Sequence, residues 1–320
     1  MQDRPDIRKF ISGTMLLLPA LLLLASIALA QKQVGPIRRA RPPIFDQRTE
    51  DVFSPNAVEL LQGTPPRYGN VPGAIGDIDN QPSPTDSKFS WSALVSRETL
   101  EDAVKRGLVR LRLAAPSSST FKSGGYQQAR KEFSFLAVVF GVIHQYDGDV
   151  RWKDASQGMQ LRLSRAGLNC KVATDNSYKE TVTRMEGLAL LIRGANVDIE
   201  SMDRPIPLWS EVADRSPLMS QLEQALDEQL APGVANSTEF GRQNQQALAS
   251  AEVISMLAYV IQQPDYEYAQ DSEYLEYAKT MMEQAKHAKN AIRDQQLSEA
   301  QAAVGKIRKS CNACHGDYRS

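Results

Sequence analysis

The sequence predicts an all-α fold, and three observations carry that prediction. From Trp91 onward, apolar residues recur three and four positions apart over most of the chain, the period of a helix face. Ser, Gly and Pro punctuate those stretches where helices should start and stop. No alternating pattern of convincing strand length occurs after Trp91.

Taken in order, residues 1–30 come first. Arg4, Arg8 and Lys9 form a basic head, and Phe10 to Ala30 is apolar, ending Ala28-Leu29-Ala30 before Gln31. That is the pattern of a secretory signal with an Ala-x-Ala cleavage site. Ile11 to Ala30 is also long enough to span a bilayer if uncut, so residues 10–30 are a signal peptide or an N-terminal anchor. Residues 31–90 hold nine of the 17 prolines and read as a Pro/Gly-rich linker.

Residues 91–204 read as a first helical region. Leu100, Val104, Leu108 and Leu111 place a helix over Leu94–Leu113, ended by Pro116 and the serines from Ser117. Helices over Tyr126–Gln145, Trp152–Val172 and Ser177–Arg193 follow, with Gly194 as a C-cap. Residues 205–320 hold a second set: Ser216–Leu230, Phe240–Gln262, Ser272–Asp294 and Ser298–His315. Ser216-Pro217 reads as an N-cap followed by proline at the first helical position. Ser298 with Gln301 resembles a capping box. Gly141 to Gln145 lines up with Tyr259 to Gln263, a weak internal repeat that suggests two tandem four-helix bundles.

Composition excludes several functions. Lys and Arg number 37 against 38 Asp and Glu, so nothing electrostatic favours nucleic acid. Three cysteines are too few for a disulfide-stapled fold. No nucleophile–base pair, phosphate loop or paired carboxylates suggest an enzyme.

The chemistry lies at the end of the chain. Cys311-Asn312-Ala313-Cys314-His315 is the attachment pattern of c-type haem. Two thiols add across two vinyl groups, and the imidazole reaches the iron from the same side. On a helix the three residues share one face, because they are spaced three and four apart. A zinc site would need further ligands, and Cys170, His144 and His287 are not paired at ligand spacing. A thiol redox pair would want a βαβ context, and a disulfide would leave His315 without a role. Cys170 reads as a small buried residue and His287 as part of an exposed Lys-rich stretch.

The last ~110 residues resemble the class II cytochromes c, the cytochrome c prime family. The resemblance rests on Lys309-Ser310-Cys311-Asn312-Ala313-Cys314-His315-Gly316-Asp317-Tyr318-Arg319 near the C-terminus, and on Arg215-Ser216-Pro217-Leu218-Met219. It implies a haem-binding four-helix bundle over residues 205–320; residues 91–204 carry no such anchor, and their helix order is compatible with a degenerate four-helix bundle without haem. Cys311 and Cys314 would hold a single haem c, with His315 as proximal and Met219 as distal iron ligand. Arg319 and Arg215 would balance the propionates. The Tyr266-Glu267-Tyr268 loop would flank the haem edge.

Two functions follow. The first is an exported, periplasmic or otherwise extracytoplasmic electron carrier that serves redox partner proteins. The second is a five-coordinate haem that binds a small gas such as nitric oxide, or reacts weakly with peroxide. A homodimer is also expected from the resemblance.

Overall fold

The computed structural model describes residues 89–195 and 207–318. The signal or anchor at 10–30, the linker to residue 88, the 204/205 division and Arg319 lie outside the described residues. The described residues form helices, with no strand among them. None of these helices is long and apolar enough to cross a membrane.

The first set runs α1 (Trp91–Leu94), α2 (Arg97–Ala114), α3 (Ser118–Thr120), α4 (Tyr126–Gln145), α5 (Ser156–Asn169) and α6 (Asp175–Ile192). Ser96 caps α2 by accepting from the Thr99 N–H, the usual use of a serine there. The serine run does more than end α2: Ser117 caps α3, which passes through a π-helical stretch, Phe121–Gly125, into α4. α6 opens on a capping box between Thr174 and Ser177 that the sequence reading overlooked. Gly194 closes it with φ +81°, the left-handed position expected of a helix-ending glycine.

The second set runs α7 (Trp209–Val212), α8 (Arg215–Glu223), a π-helical stretch (Gln224–Leu230), α9 (Ala231–Gly233), α10 (Ser237–Val260), α11 (Ser272–Arg293) and α12 (Leu297–Tyr318). Two expectations are corrected here. α8 is preceded by Asp214, so Pro217 sits third in the helix rather than first. The first turn has no helical acceptor for its N–H groups, so proline is tolerated there. Ser298 lies inside α12, and Gln301 donates to the Val234 and Ala235 carbonyls instead of closing a capping box.

Both sets lie in one compact unit, Pro82–Ser320, and share a continuous hydrophobic core. α4 is its axis, with Phe133, Phe135, Leu136, Phe140 and Ile143 all fully buried. Glu132 on the same helix is 1 % exposed and accepts from Arg110 Nε at 2.7 Å. Burial outweighs Arg110 and holds its carboxyl above the ordinary range. A raised carboxyl holds its proton to higher pH folded than unfolded, so the stability it contributes is full at low pH and is lost as pH rises through the folded value. Arg110→Met should deepen that loss, by about 3 kcal/mol at pH 8 and much less at pH 4, as measured by urea unfolding at the two pH values.

Candidate functional site

α12 carries the chemistry because of where its apolar stripe stops. Ala300, Ala303, Val304 and Ile307 bury one face. The same stripe continues through Ser310 into Cys311 and Cys314, one turn apart. α11 pins this end. Ser310 Oγ donates to the Tyr277 carbonyl at 2.7 Å, and Tyr277 Oη donates to Asp317 Oδ2 at 3.0 Å. Cys311 Sγ lies 3.7 Å from Met281 Sδ. Cys311 and Cys314 are half-buried free thiols, and His315 is exposed. Burial pushes the Cys311 thiol up to about 11, so it stays protonated at neutral pH.

The opposite wall is α8. Arg215 and Met219 lie four apart, and so share a face. Arg215 is close enough to Cys314 to pull down a thiol that burial otherwise raises. Farther along, Asp227 in the π-helical stretch pairs with Arg308 of α12 at 2.7 Å. Met219 lies between these two points of approach and is half-buried. Arg215 does not stand in solution. It donates to the Glu267 carbonyl at 3.2 Å, pairs with Glu267 Oε2 at 3.1 Å, and lies 4.6 Å above the Tyr268 ring. Tyr268 takes φ +67°, unusual for an aromatic residue, which aims its ring at this cluster. Its ring meets Tyr274 and Tyr318 at 6.2 and 5.2 Å.

The first set provides an internal comparison. There α2 packs against α6 and closes the four-helix ring. In the second set α12 packs along α11, but without extensive contact to α8. The final turns explain the difference. Gly187 to Arg193 contains no Cys or His, and Leu188 and Leu191 are 0 % and 6 % exposed. Leucines seal the first ring where α12 presents two thiols and an imidazole.

The residues fit a haem. The group needs two thiols a turn apart, an imidazole on the same helix end, an apolar wall and a cation for its carboxylates. Cys311, Cys314 and His315 meet the first two needs. Met281 and the Tyr268–Tyr274–Tyr318 cluster supply the wall, and Arg215 the charge. Sequence reading had brought together Cys311, Cys314, His315, Arg215 and Met219. Met281 is core, 7 % exposed, but it also touches Cys311. Only the register of α11 against α12 reveals that, and no motif encodes it.

Residues 264–319 match the family model described as Cytochrome C'. The match spans the loop after α10, α11, α12 and the Cys311–His315 motif, so this C-terminal region is similar to cytochrome c prime, a family whose cofactor is haem. It stops short of Arg215 and Met219 and of the whole first set. No curated protein and no solved structure matches the chain.

Proposed function

We propose that the protein is an exported c-type cytochrome carrying one covalently attached haem, which passes electrons between redox partner proteins. The observation that carries this reading is the contrast between the two helical rings: leucines close the first, and Cys311, Cys314 and His315 line the open side of the second. Export is the reading of residues 10–30, through a cleaved signal or an uncleaved anchor.

Bound there, haem supplies a one-electron Fe(III)/Fe(II) couple. The chain does the rest. Cys311 and Cys314 would hold the group through two thioethers, each thiol adding its sulfur to one vinyl carbon and its proton to the other, with no oxidant consumed. Tyr277 holds the end of α12 through Ser310 and Asp317, which limits movement of His315. Met219 on α8 offers a thioether from the opposite wall; a methionine ligand favours the ferrous state and raises the potential. Arg215 carries five N–H donors, more than Glu267 uses, and can neutralise a propionate.

The rival function, a five-coordinate haem that binds a gas, differs at Met219 alone. The ferrous protein should give a low-spin spectrum that carbon monoxide leaves unchanged. Met219→Ala should turn it high-spin and let carbon monoxide bind. Ready carbon monoxide binding by the unsubstituted protein would defeat the carrier reading in favour of the rival.

A further inference from the structure

The two helical sets repeat each other in helix order, and residue by residue where each begins. Trp91-Ser92-Ala93-Leu94-Val95-Ser96-Arg97 recurs at a constant spacing as Trp209-Ser210-Glu211-Val212-Ala213-Asp214-Arg215. The contacts inside each set recur with it. Asp147 accepts from the Ser92 N–H at 2.9 Å, and Asp265, its counterpart at the same spacing, accepts from the Ser210 N–H at 2.6 Å. A tyrosine beside each aspartate makes a similar bond from positions that are not counterparts: Tyr146 Oη, just before Asp147, donates to the Val95 carbonyl, and Tyr266 Oη, just after Asp265, to the Ala213 carbonyl.

The contacts between the sets are reciprocal. α1 packs on α10, and α7 packs on α4. The Trp91 ring meets Tyr259 at 5.2 Å. The Trp209 ring lies over Gly141, the counterpart of Tyr259, so closely that a Cβ there would approach it to 3.0 Å. The carbonyls of Ala93 and its counterpart Glu211 each accept a side-chain bond from the other set, from donors that are not themselves counterparts: Lys289 Nζ at 2.6 Å and Ser164 Oγ at 3.1 Å. The counterparts Ser96 and Asp214, each just before its helix, both reach across to the other set's long helix, though to different positions: Ser96 donates to Glu252 of α10, and Asp214 accepts from Arg130 of α4. Trp91 and Trp209 meet each other, ring centroids 5.7 Å apart. A residue that touches its own counterpart sits on a two-fold axis, and a contact in which i meets j while j's counterpart meets i's is isologous.

We propose that residues 89–195 are a resident copy of the 207–318 set, docked on that set's own pairing face, so that one chain is an internal dimer. The partner this face fits is a second copy of the same helical unit, and the chain already supplies it. An isologous interface closes on itself, so the intact protein has no reason to pair with another chain through α7, α8 and α10. Redox partners then approach from the α11–α12 side. That last consequence rests on the function proposed above; the pairing itself does not, because it is read by mass.

The test uses the full chain with a protease site inserted between Val197 and Asp198. After cleavage under native conditions, sedimentation should show the two fragments still joined one to one, and the uncut chain as a monomer. Trp91→Asp and Trp209→Asp, as two-fold counterparts, should each raise the fragment dissociation constant at least about a hundredfold. Separation of the unsubstituted fragments would overturn the proposal. So would an uncut chain that runs as a dimer and becomes a monomer on Trp209→Asp. Should a tryptophan variant fail to fold, cleavage of the unsubstituted chain still decides.

Discussion

Replacing both Cys311 and Cys314 with serine should abolish covalent haem entirely. Every trace of haem in the variant should extract into acidified organic solvent, and the chain should run at its bare polypeptide mass. Each single serine variant should keep one thioether and a weakened spectrum. The effect is this large because the two thiols have no other work in the fold. They are half-buried, they form no disulfide, and Cys311 lies against the soft thioether of Met281. Cys170→Ser is the contrasting control. Cys170 is 1 % exposed and meets Thr181 Oγ1 at 3.5 Å, so its loss should cost about 1–2 kcal/mol of stability and no haem.

The second large effect concerns the seam between the two helical sets. Glu252 is 1 % exposed and accepts from Ser96 N and Oγ at 3.1 and 2.6 Å. Lys289, 6 % exposed, lies close enough to feel its charge, which opposes the lowering that burial imposes on the ammonium. Arg293 approaches to 4.0 Å. Glu252→Ala should therefore cost about 3–5 kcal/mol, because it strands a buried cation and an N–H donor together. Glu252→Gln keeps an acceptor for Ser96 and should cost less than half of that. Urea denaturation of the two variants measures the difference. Lys289 also corrects the reading of Lys286 to Lys289 as an exposed stretch: the apolar face of α11 carries it inward, to the Ala93 carbonyl.

The long helices were legible because their stripes are regular. Leu100, Val104, Leu108 and Leu111 define the buried face of α2, and α4 and α11 start where their sequence signals fall. The errors cluster at ends, where local chemistry has several solutions. Ser298 and Gln301 have the spacing of a capping box, but Gln301 finds stronger use on the carbonyls that follow α9. Pro217 was counted into the helix from Ser216, while Asp214 is the residue that precedes it.

The internal repeat was visible at Ile143 and Ile261 but not at Trp91 and Trp209, because those tryptophans lie on four-residue helices too short to show a period. At the site, the motif located Cys311, Cys314 and His315 without help. The Arg215–Tyr268 stack depends on a left-handed backbone angle at a tyrosine, which composition does not announce. The leucine seal of the first ring gains meaning only when α6 is set beside α12.

The central claim is that this chain holds one haem, bound covalently at the end of α12. Intact mass of the protein purified from a host that matures c-type cytochromes, followed by peptide mapping, tests it most directly. The account predicts a single haem adduct per chain, carried on the peptide that contains Cys311 and Cys314. A chain at bare polypeptide mass, a second adduct, or an adduct on a peptide from residues 89–195 would contradict it.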